Sequence, residues 1–258
     1  MTRTEHSPVR VPRPRTAPAA RLACFPHAGG TAGAFAALAA ALPDDIEVLA
    51  LQYPGRQERR PEPCAAGIPE LAAEAAHFLA PYTGGPLFLL GHSMGALVAF
   101  ETTRLLERRG PVAGLLVSAA RPPGDDWQER DLDTVDDERI VAELRRLGGV
   151  PEPLLAEADV VREILRLLRA DHRALRRYRC PPGARVTTPV TALHADADPK
   201  NTMAQTRGWA RYAAGGFGTA VLSGGHFALT GRDPGAARLL TRLLRTAPAP
   251  AAPARPAG

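Results

Sequence analysis

The sequence predicts an α/β class: a mostly parallel sheet with helices on both faces and a helical insertion. Three observations predict it. Short apolar runs alternate with longer helix-like stretches along most of the chain, the pattern of successive strand–helix–strand units. The run at 86–90 (Pro-Leu-Phe-Leu-Leu) is continuously apolar, as a strand covered on both faces must be. The stretch 121–186 contains no convincing strand and is too long for a simple connection, so it reads as helices placed over the C-terminal edge of the sheet.

The elements follow in order. Residues 21–26 (Arg-Leu-Ala-Cys-Phe-Pro) form a short strand stopped by Pro26 and the Gly29-Gly30 pair, since both residue types punctuate regular structure. Residues 32–42 are rich in Ala and Leu and read as a helix ended by Pro43. A second strand covers 46–52 and breaks at Pro54-Gly55; a helix covers 69–80 with Pro69 in its first turn, where its missing N–H costs nothing. After the strand at 86–90 comes a helix at about 94–109, closed by Gly110, and then an apolar strand at 112–119. Strands at 188–195 and 217–222 flank a helix near 201–213, and a last helix runs from about 233 to 245. No internal repeat is present.

Composition narrows the function. The chain has 258 residues, 45% hydrophobic and 23% charged, which suits one sizeable globular domain rather than a disordered chain. The net charge of +5 could suggest nucleic acid, but it sits in two Pro/Ala-rich ends. Residues 1–21 carry +4 and residues 246–258 carry +1, while 22–245 hold equal numbers of acids and bases. The expected organisation is a disordered basic tail at 1–20, one domain at 21–245 with a lid at about 121–186, and a disordered tail at 246–258. No run is long and apolar enough to span a bilayer, and no signal-peptide core precedes the domain. Cys24, Cys64 and Cys180 are odd in number and unrelated in spacing, which excludes a fully paired disulfide framework or a CxxC-type zinc site. A reduced, cytoplasmic protein without nucleic-acid, membrane, metal or cofactor partners is expected.

The motif Gly91-His92-Ser93-Met94-Gly95 lies between an apolar strand and an apolar helix start, the context that gives G-x-S-x-G its meaning. A serine forced into a sharp strand-to-helix turn projects its hydroxyl above the sheet edge. The positions two residues to either side must lack side chains for strand and helix to approach so closely. The helix start also offers N–H groups and a positive dipole end to a developing oxyanion. Ser93 is therefore the candidate nucleophile.

A serine nucleophile needs a base. Of the histidines at 6, 27, 77, 92, 172, 194 and 226, His226 occupies the loop after the last strand, where this chain order places the base. His92 should point away from Ser93. The acid belongs at a strand end, and the strand at 188–195 runs into Asp196-Ala197-Asp198-Pro199. Asp198 is preferred because Ala195-x-x-Asp198 has the spacing of a Gly-x-x-Asp turn; Asp196, as a cap or turn residue, stays the alternative. Two backbone donors complete the set: Met94, after the nucleophile, and Ala28, in the loop Phe25-Pro-His-Ala-Gly-Gly30.

These residues resemble the stand-alone type II thioesterases of polyketide synthase and nonribosomal peptide synthetase pathways, which are α/β-hydrolases. The resemblance spans about residues 22–245. It rests on Phe25-Pro-His-Ala-Gly-Gly30, Tyr53-Pro-Gly-Arg56 with Arg59, Gly91-His-Ser-Met-Gly95, Leu147-Gly-Gly-Val-Pro151, Leu168-Arg-Ala-Asp171, Asp198-Pro199 and Gly224-Gly-His-Phe227. It implies hydrolysis of acyl groups from the phosphopantetheine thiol of acyl or peptidyl carrier proteins, to remove stalled or aberrant units. It maps the triad onto Ser93, Asp198 and His226, the oxyanion donors onto Ala28 and Met94, and needs no cofactor. A monomer is expected. The segment departs from the family pattern at His172, Arg176 and Ala195. A general carboxylesterase, a product-releasing thioesterase and a non-catalytic carrier-binding partner are the rival readings.

The insertion is also divided in charge: 121–159 carries −7 and 160–186 carries +6. Arg162, Arg166, Arg169, Arg173 and Arg176 recur at spacings that put them on one helical stripe. The stripe either pairs with the acidic half of the insertion or steers an acidic carrier protein.

Overall fold

The computed structural model describes residues 7–125, 131–231 and 233–246. A two-residue strand, β1 (Val9–Arg10), precedes β2 (Ala20–Phe25). A turn of 3-10 helix at Ala32–Phe35 leads into α1 (Ala36–Ala41), and β3 (Ile46–Leu51) and α2 (Ile68–Leu79) follow. Then come β4 (Leu87–His92), α3 (Met94–Leu106) and β5 (Gly114–Ser118). The insertion supplies α4 (Asp137–Leu147), α5 (Glu152–Leu155) and α6 (Ala158–Arg177). The chain returns to the sheet with β6 (Val190–Ala195), α7 (Met203–Gly208), β7 (Phe217–Leu222) and α8 (Pro234–Thr246).

The seven strands form one sheet in the order β1-β3-β2-β4-β5-β6-β7. All neighbours are parallel except β1 with β3. Successive residues of a strand face opposite sides, and the core divides accordingly. Ala23, Phe25, Leu87 and Leu89 pack with α2 and α3, whereas Leu22, Cys24, Phe88 and Leu90 pack with α1 and α8. This two-sided burial explains the apolar run that marked β4 in the sequence.

One expectation is corrected. The tail 1–20 is not disordered from residue 7 onward: Val9 pairs with Leu51 and Arg10 with Ala50. Arg10 makes an ion pair with Glu58, and Arg13 and Arg15 reach Asp44 at 3.0 and 2.7 Å. The arginines that looked like a free basic arm lie along the sheet edge because acids of the body meet them there. Residues 1–6 and 247–258, which hold the rest of the two expected tails, lie outside the described residues.

The helix α6 spans the insertion and reaches the body. Its buried residues Leu167, Ala170, Asp171, Ala174 and Leu175 share one face, whereas the buried Leu165 lies on another. Leu165 packs with Ile140, Leu144 and Leu155 in a small separate cluster. Beyond its other end, Tyr178 donates a 2.7 Å hydrogen bond to Glu101 of α3. The charge stripe pairs within the protein: Arg169 with Asp137 at 2.7 Å, Arg173 with Asp133 at 2.7 Å, and Arg176 with Asp131. Arg162 pairs with Asp159, and Arg166 with Glu163 at 2.6 Å.

Candidate active site

The elbow between β4 and α3 has the shape its glycines demand. Ser93 sits at φ 53° and ψ −121°, a region that side-chain-bearing residues enter only at a cost of about 1–3 kcal/mol. Its N–H donates to Ser118 O on β5 at 2.8 Å. A Cβ at Gly91 would stand 2.3 Å from Gly95 O, and one at Gly95 would stand 2.1 Å from Phe25 O. Both contacts are with backbone, so no side chain can be admitted at either position. Met94 opens α3, so its N–H precedes the helix's own hydrogen bonding.

His226 and Asp198 come from two loops at the same sheet edge. The loops are tied together by Ala197 N–H donating to Gly224 O at 2.9 Å and by Gly224 N–H donating to Asp196 Oδ1 at 2.8 Å. His226 Nδ1 then donates to Asp198 Oδ2 at 2.9 Å. Asp198 Oδ1 accepts from Lys200 N–H at 2.8 Å. Burial alone would raise the Asp198 pKa, but the hydrogen bond and charge of His226, with the Lys200 N–H and ammonium, hold it below 3.8. An ionised Asp198 keeps the proton on Nδ1 and leaves the lone pair on Nε2. Asp196, the alternative acid, is exposed and serves the turn.

Ser93 and His226 line one cavity of about 100 Å³, together with Ala28, Gly29 and Phe227. Its opposite wall comes from the insertion: Leu144, Leu147, Val150, Ile164 and Leu168. The structure thus brings Ser93, His226, Asp198 and Ala28 to one place, with Met94 adjoining Ser93. The Ala28 loop is a turn closed by Gly30 N–H to His27 O at 2.9 Å, with Gly29 at φ +75°, the left-handed position glycine fills readily.

Several residues at the site escaped the sequence reading. His92 is buried, and its ring packs 5.4 Å from that of His226 and 5.7 Å from that of His27. Burial, and then the charges of His226 and His27, push its pKa well below 6.5. The same causes, with Arg56 as the third, bring His27 down to about 3. Both imidazoles are neutral at working pH. Arg56 and Asp171 were read only as motif letters. They form a buried pair at 2.9 Å, 1% and 6% exposed at the side chain. The signal was present, because Asp171 falls on the apolar stripe of α6, where a carboxylate needs a partner. Among the described residues, no group of three or more His, Cys, Asp and Glu could hold a metal ion, and no helix is long and apolar enough to cross a membrane.

Known proteins resemble this chain over most of its length. The family model of the thioesterase domain matches residues 20–246. Thioesterase PikA5 of Streptomyces venezuelae is 42% identical over 214 residues, which is 82% of this chain and 76% of that protein. The "Probable cadicidin biosynthesis thioesterase" of Streptomyces griseus is 39% identical over 217 residues, 84% of this chain; the match spans 60% of that relative's length. The solved type II thioesterase BorB from the borrelidin biosynthetic cluster superposes with a TM-score of 0.82 at 38% identity, covering 95% of this chain and all of that one. The fold is that of the α/β-hydrolases, and the chain belongs to the thioesterase domain family.

Proposed function

We propose that this protein is a serine hydrolase that cleaves acyl thioesters from the phosphopantetheine arm of acyl or peptidyl carrier proteins, clearing stalled or aberrant units during natural-product biosynthesis. The observation that carries the reading is the strained Ser93 elbow opening into the cavity that His226 also lines, with His226 held by Asp198 at 2.9 Å. The names of the relatives, thioesterases of biosynthetic clusters, support the substrate class.

In the first half-reaction His226 Nε2 takes the Ser93 Oγ proton as Oγ attacks the thioester carbonyl carbon. The oxyanion that forms is held by the N–H groups of Ala28 and Met94. Collapse breaks the C–S bond, and His226 returns the proton to the departing pantetheine thiol. In the second half-reaction water gives a proton to His226 and its oxygen attacks the Ser93 ester. The acid is then released and Ser93 regains its proton. Asp198 stabilises the imidazolium of each step without itself being protonated. No metal or organic cofactor enters.

The apolar wall that Leu144, Leu147, Val150, Ile164 and Leu168 present to the cavity suits the acyl chain of the load. The protein works as a cytoplasmic monomer, with the insertion as its lid. The test is turnover of acyl-pantetheine and acyl-carrier thioesters by wild type and Ser93→Ala. Loss of turnover in the variant is expected; an unchanged rate rejects the reading. Preference for an oxygen ester over the matching thioester would move the assignment to a general carboxylesterase.

A further inference from the structure

The lid helix and the oxyanion loop share a single buried carboxylate. Asp171, in the middle of α6, accepts the Gly29 N–H at 2.7 Å on Oδ2. It also binds Arg56 in a fork, with Nη1 to Oδ2 at 3.1 Å and Nη2 to Oδ1 at 2.9 Å. Arg56 Nη1 donates in addition to Gly30 O at 2.8 Å. The two side chains therefore hold both the N–H and the C=O of the turn that begins at His27. Gly29 N belongs to the Ala28–Gly29 peptide, and the adjoining His27–Ala28 peptide, which carries the Ala28 N–H, is restrained in the same turn by Gly30 N–H donating to His27 O at 2.9 Å.

The same stretch of α6 also covers the turn sterically. A Cβ at Gly29 would come 2.9 Å from Leu168 Cδ1, and Leu168 lies one helical turn before Asp171. The loop after β3 braces the turn's far end: Ala32 N–H donates to Gln52 Oε1 at 2.7 Å, and Gln52 Nε2 donates to Arg56 O at 3.2 Å. Because Asp171 occupies the Gly29 N–H, that group does not compete with Ala28 for the oxyanion.

We propose that Asp171 and Arg56 are positioning residues that couple the seating of α6 to the assembly of the oxyanion hole, so that a displaced lid disarms Ala28 as well as uncovering the cavity. This rests on the Ser93 reading above and adds a condition to it: acyl transfer requires the lid helix in place. A packed-down lid alone would change substrate binding. A lid that also carries the acceptor for the oxyanion loop changes the chemical step, because aligned donors act on the transition state.

Two double variants separate this role from a purely structural ion pair. Arg56→Met with Asp171→Asn, and Arg56→Met with Asp171→Leu, both remove the charge pair. Only the first keeps an oxygen for the Gly29 N–H. The proposal expects kcat for acyl-pantetheine to be at least about tenfold lower in the Leu variant than in the Asn variant, with KM within about threefold. The threshold is set below the about 10²–10³-fold cost of removing one oxyanion donor, because here the donor is misaligned rather than lost. Affinity for a trifluoromethyl ketone analogue of acyl-pantetheine, which forms a tetrahedral adduct, should fall by the same factor, while affinity for the inert amide analogue stays put. Equal kcat in the two variants, or a change confined to KM, overturns the proposal. Should either variant fail to fold, Asp171→Glu in the otherwise intact chain keeps the charge but displaces the acceptor by one methylene. A kcat reduced at least tenfold at unchanged KM and Tm supports the coupling, and an unchanged kcat overturns it. Ser93→Ala in the same assay keeps the two readings apart. An undiminished rate in that variant is a failure of the triad, whereas loss of turnover in Ser93→Ala with equal kcat in the test pair is a failure of the coupling alone.

Discussion

The parallel body and the helical insertion keep their shapes by different means. In the body, β2, β4 and α3 are sealed in two apolar layers, and the elbow is fixed by contacts between backbone atoms that admit no side chain. In the insertion, a small apolar cluster around Ile140, Leu144, Leu155 and Leu165 is supplemented by partly exposed ion pairs from α6 to Asp131, Asp133 and Asp137. The first kind of order is close-packed and stiff. The second is weak and salt-sensitive pair by pair. The reacting groups thus stand on the stiff part, and the wall that meets the acyl chain stands on the softer one. Among the contacts that cross between them, two lie at the site: Asp171 at the oxyanion loop, and Gly149, whose missing side chain lets the Phe227 ring, next to His226, lie against it.

Perturbations ranked by size sharpen the contrast. The largest effect belongs to the stiff part. Replacing His226 by Ala should lower kcat by about 10⁴-fold or more while the thermal midpoint moves little, checked by steady-state kinetics beside a melting curve. Next, Gly95→Ala should destabilise the fold by at least about 3 kcal/mol or prevent folding, since its Cβ must displace the Phe25 carbonyl and no flexible side chain can yield. Denaturant titration reads this directly; a loss under 1 kcal/mol, on the order of a surface change, would mean that the elbow is softer than described.

The pH dependence has a defined sign. His27 has a pKa near 3 in the folded chain against 6.5 as its ordinary value, and that of His92 is also well below 6.5. Between those values the unfolded chain binds protons that the folded chain refuses. Stability should therefore fall as pH drops from 6.5 towards 3, by up to about 1.4 kcal/mol per pH unit for each group. Asp198 contributes in the same sense, in a more acidic window. Its carboxylate is stabilised above 3.8, and that contribution is lost only as pH falls through its lowered folded value. Urea midpoints at pH 7, 6 and 5 should decline, and His92→Met should reduce the slope. The smallest effect belongs to the insertion. Arg173→Ala removes a 2.7 Å pair with Asp133, both half-exposed, and should cost less than about 1 kcal/mol, falling further in salt. Because these arginines have internal partners, reversing Arg173 to Glu should alter KM equally for carrier-bound and small thioesters. A selective rise for the carrier would restore the steering reading.

Legibility in the sequence follows the same division. Strands β2 to β6 were readable because burial on one or both faces leaves an apolar run, and the elbow because sterics allow only glycine at 91 and 95. His226 was readable from its place after the last strand. Spacing favoured Asp198 over Asp196 without excluding Asp196, and the loop that sets Asp196 against Gly224 and Asp198 against His226 supports the same preference. β1 was illegible because two residues of a Pro- and Arg-rich stretch carry no period. Arg56 and Asp171 were quoted only within motifs, because local sequence does not name the partner, here 115 positions away, that the fold brings into contact.

The central claim is that acyl transfer passes through Ser93. It is tested most directly by mixing the enzyme with an acyl-loaded carrier protein, quenching within the first turnover, and mapping the enzyme by peptide mass. The account predicts a transient acyl adduct on the peptide that holds Ser93, absent from Ser93→Ala, whose carrier stays loaded. Deacylation of the carrier at an undiminished rate by Ser93→Ala, with no adduct on that peptide in the wild type, would contradict it.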